Sequence, residues 1–307
     1  MKTSLIIKII LITLIFGSNL SLAKQKRYDS EIEFGNPSGE RIVQFSGNGN
    51  LNITGYNGDK VIISSSENIF SEDEEINEKA RGLKKIGGGG FNIINNKNDN
   101  IIIISRPIDK HFDLDVKVPN NITLKFGSDI NRKSWDSRKE SHVNFFVDIV
   151  GKTLGGVFHG ILEGNVSIKD FSGTAEINTV QGNINVENIR GEVFASSVDG
   201  DIHIVFNKLT KDRALYLSSV DGDIDITIPK DTRADIMAKT MDGDVYSGFE
   251  GDVVVGREID DDTATPKSQN NFTKIFQSNY ITTRINGGGQ EIYLNTIDGN
   301  IYIRKGD

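Results

Sequence analysis

Between residues 155 and 209 the chain alternates apolar and polar positions, and glycine punctuates the alternation every nine residues. Glycine stands at 155, 164, 173, 182, 191 and 200. Counting each glycine as position one, the third positions are Val157, Val166, Ala175, Ile184, Val193 and Ile202. The fifth are His159, Ile168, Ile177, Val186, Ala195 and Ile204, and the eighth are Leu162, Phe171, Val180, Ile189 and Val198. Apolar residues two apart predict strands with one buried face, and the glycines predict the turns between them. A helix does not fit, because nine is not a whole number of 3.6-residue turns and glycine is costly in a helix interior.

A longer period lies over the first. The segments VQGN (180 to 183), VDGD (198 to 201), VDGD (220 to 223), MDGD (241 to 244) and IDGN (297 to 300) resemble one another more than they resemble the glycines between them. Alternate corners therefore share a sequence, and one coil is two nine-residue units. Self-similarity at such a period predicts a solenoid, here an all-β one of about 18–22 residues per coil.

The expected organisation is a signal peptide over 1–23 and a single β-solenoid domain over 24–307. Within it lie an N-terminal β region (24–126), a polar excursion (127–142) and regular solenoid (155–307) with a loop near 256–284. Ser71 and Glu74 form a capping box, Ile76, Ala80 and Leu83 make one apolar stripe, and Gly87 to Gly90 end the run. That pattern predicts one short α-helix near 71–86 covering an open end of the stack.

The first 23 residues carry Lys2 and Lys8, a mostly apolar run over 9–16, and Ser21-Leu22-Ala23. The run is far shorter than the roughly 20 residues that span a bilayer, so the segment reads as a leader cleaved after Ala23. Removing two lysines and no acid moves the net charge from -8 to -10. Export to the periplasm, cell surface or medium follows, and no later segment is apolar enough to cross a membrane.

Charge and composition narrow the chemistry. Lys plus Arg number 35 against 43 Asp plus Glu, which leaves no excess cation to neutralise phosphates and argues against nucleic acid as a partner. With no cysteine, thiolate metal sites, cysteine catalysis and a lipidated cysteine are excluded. The four histidines, His111, His142, His159 and His203, show no metal-ligand spacing. Trp135, among Arg132, Lys133, Arg138 and Lys139, is a weak candidate for stacking on a sugar and is better read as a loop anchor.

Repeated aspartates are the remaining candidates. Stacking at about 4.8 Å predicts one column of Asp199, Asp221 and Asp242 and another of Asp201, Asp223 and Asp244. Three roles compete. In the favoured one Asp-Gly is a turn pair, with Asp bonding a backbone N–H; Gln181, Asn183 and Asn300 do the same work uncharged. Calcium binding is a weaker reading, because calcium-loaded repeats carry more glycines at fixed offsets. Catalysis by acid pairs, as in a glycosidase or lyase, lacks the burial that would split two carboxyl pKa values. No catalytic residue and no cofactor is assigned.

With these residues in view, "GNLNITGYNGDKVIIS", "VPNNITL", the repeated "SSVDGDI", "IPKDTRADIMAKTMDGDV" and "NGGGQEIYLNTIDGNIYI" resemble the bacterial putative-adhesin family of β-strand-repeat proteins, a domain of unknown function. The resemblance covers most of 30–307. It implies a right-handed parallel β-solenoid in an exported bacterial protein and supplies no catalytic residues. The expected function is a non-enzymatic adhesin or cell-envelope surface-binding protein whose partner is an envelope polymer. The alternatives are a polysaccharide lyase or hydrolase on a β-helix, or a calcium-stabilised structural envelope protein.

Overall fold

The computed structural model describes residues 27–36, 38–66, 91–107, 110–127, 162–209, 215–250, 252–257 and 279–306. The expected leader (1–23), the capping helix (71–86), the polar excursion apart from Gly127, Trp135, His142 and His159 lie outside the described residues. Those described are all-β, without helix, and form one mixed sheet of 21 strands.

The strands stack in two walls. In spatial order the first wall runs β1 (Tyr28–Glu33), β4 (Lys60–Ser65), β7 (Leu114–Pro119), β3 (Leu51–Tyr56), β10 (Val166–Lys169) and the first half of β12 (Ile184–Asp199). It continues through β13 (Ile202–Leu209), β15 (Ile224–Ile228), β21 (Ile301–Lys305) and β17 (Val245–Ser247). The second wall runs β5 (Asn92–Asn96), β6 (Ile101–Ser105), β2 (Ile42–Asn48), β8 (Thr123–Phe126), β11 (Ser172–Gln181) and the second half of β12. Beyond it lie β14 (Leu215–Asp221), β20 (Gln290–Asn295), β16 (Ala234–Lys239), β19 (Asn279–Ile285) and β18 (Asp252–Arg257). The two-residue β9 (Leu162–Glu163) bridges β2 and β11.

Parallel pairing in register explains the period. Val166, Ile184, Ile202, Ile224 and Ile301 stand opposite one another along the first wall, as do Ile168, Val186, Ile204, Ile226 and Ile303. All ten are buried. Across the core the second wall contributes Leu124, Ala175, Val193, Leu215, Ile292 and Ile236 in one column, and Phe45 stacks on Phe126 at 5.0 Å. Because side chains alternate across a strand, every second residue of the central strands of each wall is committed to this core.

Two features depart from the sequence reading. The sheet is mixed rather than wholly parallel, since β1–β4, β4–β7, β5–β6, β16–β19 and β18–β19 are antiparallel and all lie at the ends of the walls. The expected loop near 256–284 also contains strand at both margins, because β18 reaches Arg257 and β19 begins at Asn279. The threonines in "YITTRI" masked a run that buries Thr283 and Ile285.

The string "NGGG" (286 to 289) has its own geometry. β19 and β20 flank β16 on opposite sides, and Ala234 at the start of β16 pairs with both Ile285 and Gln290. Four residues therefore cross over the end of β16. Asn286, Gly287 and Gly288 all have positive φ, at 50, 83 and 79°, and a Cβ on Gly288 would lie 2.8 Å from an Asp235 carboxylate oxygen. That carboxylate accepts from Arg284 Nε at 2.7 Å and from the Gly289 N–H at 3.0 Å. The Arg284 bond, aided by the Gly289 N–H, holds the Asp235 carboxyl below the ordinary carboxylate range.

Two expectations follow from this packing. Ile226→Ala should lower stability by about 2–5 kcal/mol, seen as a lower urea midpoint at unchanged slope. The depressed Asp235 value gives a contribution that is present above the unfolded carboxyl value of about 3.9 and is lost as pH falls through the folded value. Asp235→Asn should therefore show a shallower fall of the urea midpoint below about pH 4.

Candidate functional site

The corner that carries "SSVDGDI" brings the repeated aspartates together, and Ser196, Ser197 and Asp199 stand opposite Ser218, Ser219 and Asp221 of the neighbouring layer. Gly200 donates its N–H to the Asp221 carbonyl at 2.9 Å, and Ile202 donates to the Asp223 carbonyl at 2.9 Å. In an unbroken parallel ladder the Asp223 N–H would return to the Gly200 carbonyl. Here it donates to Asp201 Oδ1 at 2.8 Å, and the Gly200 carbonyl accepts from Ser219 Oγ at 3.1 Å. One ladder bond is thus replaced by two side-chain bonds, which is how the chain turns a corner without orphaning a polar group.

This exchange repeats from layer to layer. The side-chain oxygen of Asp113 accepts from Asn50 N, Asn50 from Asn165, Asn165 from Asn183 and Asn183 from Asp201. Asp223 then accepts from Asn300 at 2.6 Å, and Asn300 from Asp244 at 3.0 Å. An amide oxygen and a carboxylate oxygen are equivalent acceptors here, which explains why Asn and Asp alternate freely along the column. Inside the corner, Thr296 Oγ1 donates to the Gly222 carbonyl at 3.0 Å and Thr240 Oγ1 to the Gly299 carbonyl at 2.9 Å.

The order of layers corrects the expected columns. Asp199 pairs with Asp221, but Asp221 and Asp242 both bridge to Asp298, which sits between them. Likewise Asn300 separates Asp223 from Asp244. The cause is β20 and β21, which insert between the layer of β14 and β15 and the layer of β16 and β17. Asp199, Asp221, Asp298 and Asp242 are exposed, whereas Asp201 and Asp223 each commit one oxygen to a backbone N–H. Among the described residues, no three His, Asp or Glu side chains converge where one ion could be held.

Other candidates are dispersed. His111 lies exposed 3.0 Å from Asp113, and His203 lies on the outer side of the first wall, 3.9 Å from Asp225. Asp225 accepts from Arg304 Nε through both oxygens, at 2.8 and 2.9 Å. That bond raises the Arg304 value. Sequence reasoning missed this pair, because its members stand 79 residues apart.

Arg106 was also missed. It is 4% exposed, and its guanidinium donates to the carbonyls of Gly49 at 2.5 Å, Gly47 at 2.9 Å and Phe112 at 3.1 Å. Burial pushes its pKa down to about 10, opposed by Asp113, so it stays charged at neutral pH. It ties the Gly47 and Gly49 carbonyls of one layer to the Phe112 carbonyl of the next.

Stacked strands that share one corner define a strand-repeat domain. The family described as Toastrack DUF4097 matches residues 48–279, and the chain belongs to that family, which bears out the resemblance drawn from its motifs. The chain is also similar to two solved structures. One is a putative cell adhesion protein from Clostridium sporogenes, at 12% identity and TM-score 0.43, covering 92% of this chain and 100% of that one. The other is a putative adhesin from Bacteroides fragilis, at 11% identity and TM-score 0.33, covering 92% and 98%. No curated protein compared with the chain matches it.

The corner chemistry separates structural from ionic roles of the aspartates. Asp223→Asn keeps the acceptor and should leave the urea midpoint unchanged, with or without calcium. Asp223→Ala orphans the Asn300 N–H and should cost about 0.5–1.5 kcal/mol. A calcium-dependent midpoint in the parent that Asp223→Asn abolishes would instead assign the column to metal.

Proposed function

We propose that the mature chain is an exported, non-enzymatic protein that binds a cell-envelope or cell-surface polymer through the outer sides of its walls, as an adhesin-like surface protein. Its stacked layers are a right-handed parallel β-solenoid of about 18–22 residues per coil. The observation that carries this reading is the use of the second aspartate of the repeated Asp-Gly-Asp string as a backbone acceptor between layers, which gives the motif a stacking role. The leader-like residues 1–23 support export to the periplasm, surface or medium. Among the described residues, no helix is long and apolar enough to cross a membrane. The reading needs no cofactor and no nucleic acid.

A second reading has one observation in its favour. His203, Asp225, Tyr302 and Arg304 share the outer side of the first wall, and acids beside a cation on a strand face are what a polysaccharide lyase requires. Co-sedimentation of residues 24–307 with insoluble polysaccharides and envelope fractions, with released sugar assayed in the supernatant, decides between the two. Retention without release is the expected result. Release of sugar that Asp225→Asn abolishes would establish the lyase, and absence of retention would remove the surface-binding reading.

A further inference from the structure

Among the described residues, the last layer of the first wall leaves one aromatic face open. Its outer column runs Asn185, His203, Asp225, Tyr302 and Tyr246, each opposite the next. The rings of Tyr302 and Tyr246 stack with centroids 5.2 Å apart and planes 9° apart. β17 is the last strand of this wall among the described residues, so Tyr302 covers one face of Tyr246 and no described strand covers the other. Tyr246 is 50% exposed, and Met241 in the same layer is 46% exposed.

A second aromatic stack shows what this one lacks. On the outer side of the second wall Phe194, Tyr216 and Tyr293 stack at 6.0 and 4.7 Å with nearly parallel planes. Those rings lie in mid-stack and cover one another, and Tyr216 is only 9% exposed. Ring faces used in this way are not available to a ligand. Tyr246 is terminal, and its position is fixed from two sides: by Tyr302 behind it and by its hydroxyl, which donates to Asp244 Oδ2 at 3.2 Å. Tyr302 is held in turn by the Arg304 guanidinium, 5.3 Å from its centroid and anchored on Asp225.

We infer that Tyr246, backed by Tyr302 and edged by Asp244, is a stacking platform for a neutral pyranoside chain. The inference rests on the surface-binding reading above and names its ligand class. A pyranose presents a C–H face that packs flat on an exposed ring, while its hydroxyls need acceptors at the ring edge; aromatic residues with a polar edge serve both needs. The Asp244 carboxylate is such an acceptor. Asp242, Asp244 and Asp298 give this corner a negative charge, which opposes uronates and sulfated chains by like-charge repulsion.

The test is calorimetric titration of the purified protein with cellohexaose and chitohexaose, both neutral, and with a galacturonate hexamer. At least one neutral hexamer should bind and the galacturonate should not. Tyr246→Ala should weaken binding about tenfold or more, a loss of about 1.4 kcal/mol. Tyr246→Phe, which keeps the ring, should stay within about threefold, and neither change should move the melting temperature. The inference is overturned if no neutral hexamer binds, if Tyr246→Ala binds like the parent, or if galacturonate binds more tightly. It also falls if Ile94→Ala, which alters an exposed side chain on β5, weakens binding equally. Retention on envelope fractions without hexamer binding would defeat this inference and leave the surface-binding reading standing; loss of both would defeat both.

Discussion

Close approach of backbone at a single corner is the constraint on which the rest of the structure depends. A Cβ on Gly200 would lie 2.4 Å from the Gly182 carbonyl oxygen, one on Gly222 2.4 Å from that of Gly200, and one on Gly299 2.3 Å from that of Gly222. Any side chain in this column would force neighbouring layers apart, and strands cannot pair beyond the roughly 4.8 Å spacing of a ladder. Glycine therefore fixes the stacking distance. The stacking distance then fixes the register that buries the aliphatic columns of both walls.

The polar residues beside the glycines follow from the same geometry. A corner turned this tightly rotates the glycine carbonyl inward and the next N–H outward, and both must find partners. A buried Ser or Thr satisfies the first and an Asn or Asp side chain the second. Acceptors rather than charges are required, so the charge of the corner is free to vary. Adjacent carboxylates about 4.8 Å apart repel by only about 0.9 kcal/mol in water, and the exposed aspartates of the outer column remain wetted. The acidity of this corner is thus a surface property permitted by the fold.

Ends pose the opposite problem, because a stack of parallel layers leaves unpaired edges. This chain closes them by different means. Antiparallel strands cover terminal layers, Arg106 ties the corner carbonyls of its own layer to those of the next, and among the described residues β17 keeps the last edge of the first wall to three residues. The Tyr302–Tyr246 pair ends there, with one ring face uncovered by any described strand. Repetition in the middle gives stability, and its interruption at the end gives a surface that differs from every other layer.

Sequence alone determined the all-β class, the inward columns of the third and fifth positions, the 18-residue register and the corner role of Asp-Gly-Asp, because each depends on interactions that recur between equivalent positions in successive layers. At the eighth position it misled for Val180 and Val198, which are half-buried, while Thr179 and Ser197 beside them are buried. Tertiary structure decided which layer stacks on which. Every corner offers the same donors and acceptors, so nothing local tells the layer of Asp221 whether Asp242 or Asp298 comes next. That choice placed Arg304 against Asp225, Tyr246 against Tyr302 and the "NGGG" link across β16. The antiparallel ends were equally illegible, since an alternating strand buries the same face whichever way it runs. Periodicity encodes what repeats; long-range order and the exceptions at the ends exist only once the chain has folded.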